Sequence, residues 1–163
     1  MESLYKSSRL HLARSGYVVF SYFSQVSDME SLKATEAALK KVAKEHGRVV
    51  LVTCMSGSTV TGKVPDEVKV RAAAILRGIE EELVTNVMVV TGEGIGTTIL
   101  RAFMTAFFIF SKIKRPQRCF ADLGSALKWV RTLDERAVGD LTAERVDKFC
   151  RLQPDRQSLA KGA

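Results

Sequence analysis

Two uninterrupted apolar runs, Val49-Val50-Leu51-Val52 and Val87-Met88-Val89-Val90, constrain this chain more than any other feature. A strand with one wet face alternates apolar and polar side chains. A continuous run instead asks for cover on both faces, the condition of a parallel sheet whose crossovers carry helices. The segments between the runs supply those helices. Leu32, Thr35, Leu39, Val42 and Ala43 recur at helical spacing behind Asp28 or Ser31, either of which can cap the helix, and Gly47 stops it. Pro65-Asp66-Glu67 suits a helical first turn, and Val68, Ala72, Ile75, Leu76, Ile79 and Leu83 follow at the same period.

Upstream, Arg9-Leu10-His11-Leu12-Ala13 alternates as an edge strand does. Ser15-Gly16 turns the chain into Tyr17-Val18-Val19-Phe20-Ser21-Tyr22-Phe23, which predicts an antiparallel hairpin. Downstream, Gly92-Glu93-Gly94-Ile95-Gly96 is a tight loop into a helix from Thr97 to Ile113, ended by Lys114-Arg115-Pro116. Arg118-Cys119-Phe120-Ala121 reads as a short strand and Leu123 to Leu133 as a helix. The order is β-β-α-β-α-β-α-β-α: an α/β fold on a mostly parallel central sheet with an N-terminal hairpin. Residues 1–133 form that domain. Residues 134–163 form an extension with one amphipathic helix, Leu141 to Leu152, and a polar tail.

At 163 residues and 46% hydrophobic, the chain can bury a core unaided. Cys54, Cys119 and Cys150 are odd in number and widely spaced, as free thiols of a reducing compartment are. Lys6, Arg9 and Arg14 precede no long apolar run, so neither leader nor spanning helix is expected, and the expected location is cytoplasmic. The net charge of +7 is spread along the chain. No basic run interleaves with aromatics and no nucleic-acid motif occurs, so no nucleic-acid partner is expected.

Catalytic constellations are missing from the sequence. His11 falls in the hairpin and His46 at a helix end, neither beside a cysteine or loop serine that needs a base. No Cys/His cluster has zinc spacing. The expectation is a non-enzyme without cofactor or metal. Binding is expected at the carboxyl edge of the sheet, where open α/β folds hold ligands. There Ser56, Ser58, Thr59 and Thr61 form a partner-binding loop, with Glu93 and Asp122 nearby. Gly92, Glu93, Gly94 and Gly96 form a candidate anion or ligand turn. It lacks the Gly-Lys-Ser/Thr of a P-loop and the third glycine of the dinucleotide fingerprint.

The helix 97–113 is the most telling segment. Leu100, Phe103, Met104 and Phe107 centre one face; Ile99, Ala102, Ala106, Ile109, Phe110 and Ile113 make another. The apolar arc spans roughly 260°, against the ~100° that docking on a sheet requires. Either the C-terminal extension buries the second face or a partner does: a second copy, another protein, or lipid. Ile99, Phe103, Phe107 and Phe110 are the candidate dimer or lipid face.

Val89-Val90-Thr91-Gly92-Glu93-Gly94 before a hydrophobic helix, then Arg118-Cys119-Phe120-Ala121-Asp122-Leu123-Gly124-Ser125-Ala126-Leu127-Lys128-Trp129-Val130, carry a resemblance. With the element order of residues 8 to 133, they resemble the STAS domain of anti-sigma-factor antagonists, in its divergent bacterial stand-alone branch. The resemblance implies a non-catalytic regulatory or scaffolding module that binds a protein partner or, in some members, a membrane or small ligand. Regulatory members carry Asp-Ser-x-Gly, whose serine a kinase phosphorylates; here the comparable place reads Thr53-Cys54-Met55-Ser56-Gly57-Ser58-Thr59, with no aspartate before Ser56.

Overall fold

The structure is a computed structural model and describes residues 1–57 and 64–150. The described residues form six strands and six helices in the order β1 (Glu2–Lys6), β2 (Leu10–Ser15), β3 (Val18–Phe23), α1 (Met29–His46), β4 (Val49–Ser56), α2 (Asp66–Gly78), β5 (Leu83–Thr91), α3 (Ile95–Ser111), β6 (Gln117–Phe120), α4 (Leu123–Leu133), α5 (Glu135–Val138) and α6 (Ala143–Cys150). One sheet runs in the order β1-β2-β3-β4-β5-β6. The first two pairings are antiparallel and the last three parallel. The expected α/β architecture is therefore present, with a mixed sheet that is parallel beyond its hairpins.

Strand order explains the layering. Each right-handed crossover from β3 to β6 steps in the same direction, so α1, α2 and α3 fall on one face. Val19, Val49, Leu51 and Leu83 of the sheet bury with Leu32, Leu39, Val42, Val68, Ile75, Leu76 and Phe107 there. The opposite face holds Val18, Phe20, Val50, Val52, Val87 and Val89. It is closed by α4, α5 and α6 through Leu123, Leu127, Val130, Val138, Val146 and Cys150. Segment 134–150 thus shares the core of the preceding domain. The strands β4 and β5 are covered on both sides, as their apolar runs demand.

Three expectations change. The segment Arg9–Ala13 is not an edge: Glu2–Lys6 pairs outside it, and Leu10 to Ala13 are buried. The added edge strand carries an irregularity between Ser3 and Tyr5, and such a bulge blunts an exposed edge. Its weak apolar pattern hid it. The apolar helix begins and ends two residues earlier than expected, with Lys112 as a left-handed C-cap (φ 55°). Finally, the described part of the C-terminal extension, residues 134–150, does not bury α3. His11 Nδ1 lies 3.1 Å from the carbonyl of Cys150, and Tyr22 donates to Asp147 at 2.6 Å, which ties α6 to the far face of the sheet. The expected helix end at 151–152 and the tail lie outside the described residues.

Candidate functional site

A cavity of about 120 Å³ lies between the sheet and α1, α2 and α3. Its floor is the carboxyl half of three strands: Ser21 and Phe23 from β3, Leu51, Thr53 and Met55 from β4, Asn86 and Met88 from β5. Side chains two apart share a face, and register sets Ser21 beside Thr53 and Leu51 beside Asn86. The walls are Leu32, Thr35 and Leu39 of α1, Val68, Ala72, Ile75 and Leu76 of α2, and Phe103, Met104 and Phe107 of α3. Gln25, Val64 and Lys69 line it while also reaching solvent. They put its mouth between the β3–α1 connection and the start of α2.

Most of this lining is apolar, and its polar members are Ser21, Gln25, Ser27, Thr35, Thr53, Lys69 and Asn86. Ser21 and Asn86 are 1% and 0% exposed. Among the described residues, Ser21 Oγ, Ser27 Oγ and Asn86 Oδ1 are buried atoms without a hydrogen-bond partner. All of them belong to residues that line the cavity. A buried polar atom left unpaired costs about 1–3 kcal/mol, so three at one cavity call for an explanation. Among the described residues Lys69 is the one charged member of the lining. Its ammonium pairs with Asp66 and sits 5.6 Å from the Phe103 ring centroid.

Sequence reasoning did not identify Ser21, Asn86 or the cavity. A signal existed. Ser21 and Thr53 interrupt strands that are otherwise apolar, and Asn86 immediately precedes the Val87–Val90 run. In strands covered on both faces, each such residue places a polar group in the core.

The expected carboxyl-edge loops do meet. Gly57 N–H donates to the Thr91 carbonyl at 2.9 Å, and a Cβ on Gly92 would stand 4.0 Å from Ser56 Oγ. Ser58, Thr59 and Thr61 lie outside the described residues. The sheet order never reverses, however, so the edge has no switch-point crevice of the sort that binds ligands in doubly wound folds.

The glycine turn is held by its own helix. Gly92 (φ 103°) and Gly94 (φ 98°) adopt backbone angles that disfavour side chains. Gly96, inside α3, is exposed like Glu93. Thr97 Oγ1 donates to the Glu93 carbonyl at 3.2 Å. Arg101, the one charged residue of α3, donates to the carbonyls of Val90 (2.8 Å) and Gly92 (3.2 Å). Its guanidinium is committed to backbone.

The candidate dimer or lipid face divides. Phe107 is buried against the cavity, and Phe103 is half-buried between the cavity and an outer groove that it shares with Ala106 and Phe110. Ile99 and Phe110 are exposed, together with Ala102, Ala106, Ile95 (81%) and Ile109 (78%). Outer and inner faces are set by α3 lying on β5 and beside α2, with no third layer above it among the described residues.

The thiols and histidines serve structure. Cys54, Cys119 and Cys150 are unpaired. Burial pushes the Cys54 thiol far up and that of Cys150 up to about 12. His11 Nδ1 faces a carbonyl and so carries a proton, and Nε2 lies 2.9 Å from Ser3 Oγ. Among the described residues, no group of three or more His, Cys, Asp and Glu side chains could hold a metal ion. No helix of the described residues is long and apolar enough to cross a membrane. Comparison with family models, with curated proteins and with solved structures gave no match to this chain.

Proposed function

We propose that this chain is a non-enzymatic module that holds a small, largely apolar ligand in the cavity beneath α1, α2 and α3, as a sensor or carrier. The observation that carries the reading is the coincidence of an apolar cavity with unpaired, buried Ser21 Oγ and Asn86 Oδ1 in its lining. Size is of the right order, since an engineered apolar cavity of about 150 Å³ takes up benzene and this one measures about 120 Å³. Protonated buried thiols and a structurally committed His11 support the non-catalytic part. The STAS-like affinity belongs to the same proposal and rests on the segments 89–94 and 118–130. Calorimetric titration with a benzene-sized probe tests the reading. Saturable binding of one molecule per chain is expected, and its loss in a folded Ala72→Leu variant that fills the cavity. Absence of saturable binding contradicts it.

A second reading, a homodimer formed through α3, has its own support. Ile95, Ile99, Ala102, Ala106 and Ile109 step by four, three, four and three residues, the spacing of a helix–helix seam. The core of that stripe, Ile-x-x-Ala-x-x-x-Ala-x-x-Ile, reads the same in both directions. A face with that symmetry is self-complementary about a two-fold axis. In an antiparallel pair Ile99 meets the Ile109 position of the other copy, and alanines meet at the crossing. No charged side chain interrupts the stripe. The occupant is therefore a second copy of this chain. Sedimentation at rising concentration reads out the dimer; a monomer at all concentrations, or flotation with anionic vesicles, contradicts it.

A further inference from the structure

The polarity of the cavity can be fixed atom by atom, starting from a group whose role is not adjustable. The backbone carbonyl of Phe108 only accepts, and it takes the hydroxyl proton of Ser111 at 2.8 Å. With its proton spent, Ser111 Oγ accepts from Gln117 Nε2 at 3.3 Å. Gln117 therefore turns Oε1 toward Asn86, and Asn86 must donate Nδ2 to it at 3.1 Å. What remains is Asn86 Oδ1, a buried acceptor without a partner. The amide cannot be flipped without opposing two carbonyl oxygens at Gln117. Ser21 imposes no such direction, because its hydroxyl can give or take. Ser21 and Asn86 also stand on either side of β4, roughly 10 Å apart across two strand spacings, so one ligand hydroxyl reaches one of them.

We infer that the cavity takes a neutral, ring-sized molecule carrying a hydrogen-bond donor, of the phenol class, whose O–H meets Asn86 Oδ1. The inference rests on the cavity being the ligand site. Neutrality follows from the lining. Among the described residues Lys69 is its only charged member and is already paired with Asp66 at the rim, so an ionised group carried inside would lose its water without gaining a counter-charge from them. The donor requirement follows from Asn86, since a ligand lacking one leaves Oδ1 unpaired and forgoes the difference.

Phenol and fluorobenzene separate the donor from the shape. Transfer out of water by itself favours fluorobenzene, because phenol must shed hydration at its hydroxyl. A preference for phenol therefore reports the hydrogen bond. Titration of the full chain should show phenol bound about tenfold tighter than fluorobenzene, with benzoate not bound. In Asn86→Leu/Gln117→Leu, which removes both amides of the chain together, the order should reverse. If that variant fails to fold by circular dichroism, the ratio in the unmodified protein decides alone. Equal or tighter binding of fluorobenzene overturns the donor requirement while leaving the cavity reading intact. Tight benzoate binding overturns neutrality. Binding of none of the three overturns the cavity reading itself.

Discussion

A Cβ placed on Gly57 would lie 2.1 Å from Oγ1 of Thr97 and 2.9 Å from its Cα. The second contact is with backbone at the start of α3, which no side-chain rotation relieves. Gly57 thus allows the end of β4 to touch the helix that walls the cavity. Gly57→Ala should destabilise the fold by about 1–3 kcal/mol, the range for forcing atoms into a packed site. Urea unfolding measures it; an unchanged midpoint would contradict the contact.

Two helices that frame the fold begin on aspartates. The Ser31 N–H donates to Asp28 at 2.8 Å and the Ser125 N–H to Asp122 at 2.7 Å. These backbone hydrogen bonds hold both carboxyls below their ordinary value of 3.8. A carboxyl depressed in the folded state adds stability above its unfolded pKa and loses it as pH falls through the folded one. Stability should therefore decline as the pH drops below about 4. In Asp122→Asn the acid-dependent part should shrink while the cap persists, and Asp122→Ala should cost about 1 kcal/mol at neutral pH. Denaturant titrations at a series of pH values check both signs.

The thiols should differ in reactivity. Cys119 is half-buried, whereas Cys54 and Cys150 are buried; desolvation raises all three thiols, that of Cys150 up to about 12 and that of Cys54 further. Since the thiolate is the reactive form, a disulfide reagent should modify Cys119 first in the native protein, and the other two only after denaturant is added. Peptide mass mapping of a time course reads the order.

The two faces of α3 should respond oppositely to charge. Ile109→Asp lies on the exposed stripe and should leave a folded monomer. Phe107→Asp, in the core against α2 and the sheet, should unfold the domain. Sedimentation joined to circular dichroism distinguishes these outcomes. An Ile109→Asp protein that sediments like the parent would end the dimer reading.

Much of this architecture was legible because local signals agreed with the global fold. The runs at Val49 and Val87 announced strands covered on both faces. Asp28 and Gly47 bracket α1 as cap chemistry predicts, one through its carboxylate and the other through a left-handed φ of 67°. What was not legible depended on where elements meet. Periodicity divided α3 into two apolar faces without saying which one turns inward; the sheet chose the Leu100–Met104–Phe107 side. The cover expected from the C-terminal helix went to the opposite face, because α4 crosses beneath the sheet after β6 and carries α5 and α6 there. The cavity required three strands in register. Ser21, Thr53 and Asn86 are far apart in sequence, and only the pairing of β3, β4 and β5 sets them under the same helices.

The central claim is that this cavity is a ligand site, and a methyl-resolved NMR titration with phenol tests it most directly. The account predicts saturable shifts concentrated on Leu39, Leu51, Leu76, Met88 and Met104, which line the cavity, with residues beneath α4 and α6 unmoved. Shifts that never saturate, or that centre on the Gly92–Gly96 turn instead, would contradict it.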